Sequence, residues 1–225
     1  MTSIEIGGLK VLEPMATLTD LLVAGVCFYA FVKLQTGKSR EKSVIYFKYF
    51  FLCMGVSTTL GGLIGHAFLY AFGFAWKLPG WVVGMSSVAF MERAAIKQAR
   101  GAMRHGVNDF LAWMNIVELV VFIFIAFYTL NFLVVEVHAT YGLLVVFFLE
   151  SFVYQKRKDR ESRFILFGVA VSALAAFVHI AKFSIHTWFN YIDLSHVFMA
   201  VSSYLFYLGA DKNNKEVKDA LRAIE

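Results

Sequence analysis

Seven apolar runs, each close to the length that crosses a bilayer, follow one another along this 225-residue chain. They cover roughly 15–34, 45–73, 79–96, 109–131, 133–154, 163–183 and 186–209. A helix needs about 20 apolar residues to span the hydrocarbon core. In lipid a run of that kind has to be helical, because only a helix satisfies its own backbone polar groups without neighbours. The third run is the weakest, since Glu92, Arg93 and Lys97 crowd its end. The expected fold class is therefore all-α: an integral, multi-pass bundle of seven transmembrane helices. Residues 1–210 read as one domain and 211–225 as a short charged tail, where Val217, Leu221 and Ile224 have the spacing of an amphipathic turn. A soluble fold is excluded by composition, with 59% hydrophobic and 16% charged residues where a soluble domain carries roughly 25% charged.

The basic residues set an orientation. Lys33, Lys38, Arg40, Lys42 and Lys48 surround the first connection. Arg93, Lys97, Arg100 and Arg104 surround the third, and Lys156, Arg157, Lys158, Arg160 and Arg163 the fifth. The tail carries Lys212, Lys215, Lys218 and Arg222. Of the 21 Lys and Arg, only Lys10, Lys77 and Lys182 lie toward the other side. Alternate connections and the tail thus share one basic face, which the positive-inside rule makes cytoplasmic. The N-terminus is then expected outside and the C-terminus inside, in a plasma membrane or, in a bacterium, the inner membrane. This alternation also accounts for the net charge of +5 without nucleic acid, so the expected partners are membrane lipids. Residues 1–14 hold Glu5 and Glu13, no basic cluster and no A-x-A site, so no cleaved signal is expected. Cys27 and Cys53 sit inside apolar runs and read as packing residues.

Titratable groups inside apolar runs are costly and mark candidate sites. Glu13 and Asp20 fall at the outer end of the first run, His66 in the second, and Glu136 and His138 at the start of the fifth. His179 and Lys182 close the sixth. His186, Asn190, Asp193 and His196 descend the seventh at helical spacing, which puts His186, Asn190 and Asp193 on one face. Glu118 lies mid-run beside Asn115, and Glu92 beside Arg93 reads as interfacial. Three uses compete for the histidines and acids. One is a Zn²⁺ site ligated by His66, Asp193 and His196, with Asp20 or His186 moving the proton. Another is a b-type haem between His66 and His196, or between His138 and His179. The last is a hydrogen-bonded or proton-carrying network in a transporter, channel or ligand-binding bundle. Gly61, Gly62 and Gly65 beside His66 read as sites of close helix approach.

Four stretches resemble the seven-helix alkaline ceramidase and adiponectin-receptor-like group of membrane hydrolases. They are LIGHAFLY around His66, HATYGLLVVFF from His138, DLSHVFMAVSSYLFYLG around His196, and LEPMATLTD from Glu13 to Asp20. The resemblance implies a zinc ion between the second and seventh helices and a calcium ion near Glu13 and Asp20. It also implies hydrolysis of a lipid amide or ester. The chain departs from that group at Ile192, where the family's HxxxH pair would place a histidine, and at Gly62, where it has serine. The family's aspartate early in helix three has no counterpart between Lys77 and Glu92.

Overall fold

The computed structural model describes residues 2–37 and 39–211, so the tail, with its amphipathic spacing, lies outside the described residues. Apart from one N-terminal hairpin the described chain is helical. Its long helices are α1 (Pro14–Thr36), α2 (Lys42–Leu60), α3 (Leu78–Ala99), α4 (His105–Thr129), α5 (Phe132–Arg157), α6 (Arg160–Ile180) and α7 (Tyr191–Ala210). One long helix stands on each apolar run. Five stretches are long and apolar enough to cross a membrane: α1, α2 with its continuation to Ala67, α4, α5 and α6. The other two, α3 and α7, are diluted by polar residues, and many of those are buried against protein, including Glu92, Gln98, Asp193 and Ser202.

The helices close a ring in which α1 packs on α2, α2 on α3, α3 on α5, α5 on α6, α6 on α7 and α7 back on α1. Helix α4 stands outside this ring against α3 and α5, and leaves Phe124 and Tyr128 largely exposed. The apolar core fills one half of the bundle, where Phe47, Phe50 and Phe51 of α2 meet Val153, Ile165 and Phe206. The N-terminal halves of α1 and α7 lie in the other half, together with His66.

Two connections are very short and share one device. Leu130 and Lys158 each take a left-handed conformation, at φ 50° and 52°, and end a helix. The next residue, Asn131 or Asp159, then caps the following helix through its side chain, accepting from the Leu133 and Ser162 N–H at 3.0 and 2.8 Å. Two features lie beyond the hydropathy reading. Residues 3–12 form a hairpin, β1 (Ser3–Ile6) and β2 (Leu9–Leu12), turned by Gly7 and Gly8. Both glycines have positive φ, at 57° and 81°, as the tightest two-residue hairpin turn requires. The seventh helix also starts at Tyr191, not at 186. Residues 181–190 form a loop in which His186 pairs with Phe189.

Candidate metal centre

Beneath the hairpin, three side chains from three elements converge. Asp20 comes from α1, His66 from a π-helical continuation of α2 (Gly61–Ala67), and His196 from α7. The Asp20 carboxylate stands between the rings, with Oδ2 3.7 Å from His66 Nε2 and Oδ1 3.5 Å from His196 Nε2. The ring centroids are 6.1 Å apart, and one ligand atom from each residue lies within 4.8 Å of the others.

Local sequence makes this convergence possible. A Cβ on Gly61 would stand 3.2 Å from Asp20 Oδ2, and one on Gly62 would stand 3.1 Å from Asp20 Cβ and 3.2 Å from the Thr17 carbonyl. Only glycine lets α1 approach this closely. Thr17 Oγ1 then donates to the Gly62 carbonyl at 3.2 Å. The π turn inserts extra backbone into α2 and re-aims His66 inward, a device that recurs at functional sites.

An oxygen stands against Nδ1 on the far side of each ring. The Thr19 hydroxyl donates to a carbonyl of its own helix, Met15 at 2.9 Å or Ala16 at 3.1 Å. With the hydroxyl so used, its oxygen, 3.0 Å from His196 Nδ1, suits the neutral tautomer that carries its proton on Nδ1 and a lone pair on Nε2. Glu13 Oε2 accepts from His66 Nδ1 at 2.7 Å and does the same for that ring. Two imidazole lone pairs thus point at a carboxylate, acceptors facing acceptors at 3.5 and 3.7 Å. A cation between them, or a proton shared with the carboxylate, would resolve the arrangement, and acceptors behind both rings are also what a metal site needs.

The donor set, two nitrogens and one carboxylate, fits zinc or another first-row transition ion. It fits calcium poorly, because calcium takes oxygen donors and both Glu13 and Asp20 face imidazoles. A haem between His66 and His196 has no room, since Asp20 fills the gap. The alternative haem pair is not brought face to face. His138 lies against Glu118 at 3.3 Å, while His179 lies against Glu136 at 3.4 Å.

Glu13 is held in a left-handed conformation, φ 42°, just ahead of Pro14. Its N–H donates to the Thr2 carbonyl at 2.9 Å, so the hairpin fixes it. The hydrogen bond from His66 keeps its carboxyl below the usual glutamate range, against the opposing effect of burial. Lys77 crosses the rim, where a Cβ on Gly65 would meet its Cε at 3.9 Å and its ammonium lies 5.5 Å from the Phe74 ring centre. Burial pulls the Lys77 pKa below its ordinary value, while Glu13 and Asp20 pull it back up.

Two residues named from sequence stand elsewhere. Asp193 is buried, but its Oδ2 accepts from the Asn190 N–H at 2.6 Å and closes the cap of α7; Asp20 takes the place beside the histidines. His186 is exposed in the 181–190 loop, where its Nδ1 accepts from the Trp188 N–H at 3.1 Å. The face shared by His186, Asn190 and Asp193 does not exist, because the helix begins after Asn190. Thr19 was not singled out from sequence, although Thr17, Thr19 and Asp20 make a polar patch on an otherwise apolar helix.

The family model for DUF6962, a family of unknown function, matches residues 15–215. A search of the curated proteins and a search of the solved structures return no match.

Proposed function

We propose that this chain, which belongs to the DUF6962 family, is a zinc-dependent membrane hydrolase of a lipid amide or ester. It spans the membrane seven times, with the N-terminus outside and the C-terminus in the cytoplasm. The observation that carries this reading is the pair of histidines whose Nδ1 protons are held by Glu13 and Thr19 while both Nε2 atoms face Asp20.

His66, His196 and Asp20 would hold the ion. Zn²⁺ there supplies Lewis acidity, which polarises a carbonyl and acidifies water. Glu13 orients His66 and, being partly exposed, would be the group through which a proton leaves toward the outer surface. Lys77 places a positive charge at the rim, suited to a lipid headgroup or to charge developing on a carbonyl oxygen. The site lies in the half of the bundle nearest the hairpin, so a lipid would enter laterally from the outer leaflet. The resemblance of LIGHAFLY and DLSHVFMAVSSYLFYLG to the ceramidase-like group supports the same class of substrate.

Elemental analysis of the detergent-purified chain tests the reading. About one zinc per chain is expected, lost in His66→Ala while the variant still elutes as a single species. Asp20→Asn should lower hydrolysis in a screen of lipid amides and esters at least 100-fold. A wild type without zinc, or a His66→Ala variant that keeps it, overturns the metal assignment. The polar cluster would then read as the proton-carrying network of a transporter or ligand-binding bundle.

A further inference from the structure

A second convergence lies in the bundle, between α3, α4 and α5. Glu92 of α3, Glu118 of α4 and His138 of α5 each offer a ligand atom, all within 4.8 Å of one another. All three are buried, at 1%, 8% and 0% exposure. His138 Nε2 lies 3.3 Å from Glu118 Oε1. No well-formed hydrogen bond reaches either ring nitrogen of His138, the two oxygens of Glu118 or Glu92 Oε1, although the Glu92 and Glu118 carboxyls lie against one another. Unpartnered buried polar atoms are costly and call for an explanation.

Arg93 and Asn115 border the cluster, Asn115 as a hydrogen-bond partner of Glu92, and are tied to one another. Arg93 Nε donates to Asn115 Oδ1 at 3.0 Å, and Asn115 Nδ2 donates to the Ala89 carbonyl at 3.2 Å. Phe122 walls the ring edge-on, with centroids 5.2 Å apart. The backbone leaves space for the cluster at Gly142, one turn after His138 on α5. A Cβ there would stand 2.8 Å from Glu92 Oε1 and would collide with Val88. Three helices thus present two carboxylates and an imidazole to one buried point, at a place where α5 carries no side chain.

The geometry points to a second metal site, Glu92–Glu118–His138, that takes a divalent first-row transition ion. Two carboxylates and a neutral imidazole around a dication sum to zero charge, which suits an interior where isolated charges are expensive. The mixed oxygen and nitrogen donors favour Zn²⁺, Mn²⁺ or Fe²⁺ over Ca²⁺ or Mg²⁺. Such an ion ties α4, the helix outside the ring, to α3 and α5. This site shares no residue with the Asp20–His66–His196 centre and stands whether or not that centre is hydrolytic.

The test is Co²⁺ titration of the purified, metal-stripped full chain, read by visible absorption and by bound stoichiometry. In a His66→Ala/His196→Ala background about one equivalent of Co²⁺ is expected, lost on adding Glu118→Gln or His138→Gln. In the converse variants, with His66 and His196 intact, one equivalent should remain at the first centre, which also shows that the bundle is folded. Co²⁺ binding that is unchanged by Glu118→Gln and His138→Gln, or no Co²⁺ in the His66→Ala/His196→Ala background, overturns the second site. Failure of the first centre would appear separately, as His138-dependent binding alone.

Discussion

Glu13 links backbone, pH and site in one residue. Its left-handed backbone ahead of Pro14 is held by the hairpin, and its carboxylate is held by His66. Because His66 keeps the folded-state pKa below the unfolded one, the contact stabilises the protein above about pH 4.3 and is lost as pH falls through the depressed value. The melting temperatures of wild type and Glu13→Gln should therefore differ near pH 6, and the difference should shrink as pH falls below about 4.3. A constant difference across that range would mean that Glu13 acts through packing alone. At this scale the sequence was partly legible. His66 and His196 stood out as imidazoles in apolar runs. Asp20 stood out as well, but in the role of a proton carrier. Glu92 read as interfacial because Arg93 follows it near the end of a run. Its buried position depends on Gly142, 50 residues away and on another helix, which no local pattern reports.

At the scale of elements, hydropathy located most ends of the long helices to within a few residues, but ran to 73 where α2 ends at Leu60 and its continuation at Ala67, and misplaced the start of α7. The run 186–209 is apolar enough to look continuous, yet Asn190 and Asp193 form a capping pair that starts the helix at Tyr191. The signal was present as an Asn three residues before an acid, and it outranks hydropathy because caps act on individual backbone N–H groups. The Gly7–Gly8 turn between alternating residues was equally readable as a hairpin. The two short connections carry the next prediction. A non-glycine residue in the left-handed region costs about 1 kcal/mol, so Leu130→Gly should raise the melting temperature by about 2 °C and Leu130→Val should lower it. Lys158→Gly should gain less, since Lys158 also sits over the Tyr154 ring at 5.1 Å. A thermal-shift series on the three variants checks the order.

At the scale of the whole molecule, seven runs, the alternating basic connections and the seven long helices agree on one antiparallel bundle. What the runs could not indicate is the ring, with α4 left outside it, because which helices touch depends on shape complementarity between distant segments. The orientation is testable directly. A C-terminal reporter that fluoresces only in the cytoplasm should be bright, and a cysteine placed in the hairpin, as in Lys10→Cys, should react with a membrane-impermeant thiol reagent in intact cells. A dark reporter with an unreactive Lys10→Cys would invert the topology and put the Asp20–His66–His196 centre on the cytoplasmic side.

The spacing of the connections also distributes mechanical slack. The Leu130–Asn131 and Lys158–Asp159 turns leave α4, α5 and α6 almost no freedom to separate. The longer stretches, 68–77 and 181–190, lie at the hairpin end and flank His66 and α7. Slack at the hairpin end therefore lies in the α2–α3 and α6–α7 connections, on either side of the Asp20–His66–His196 cluster, while the α4–α5 turn at that same end, with Phe132 against Trp81, is tight.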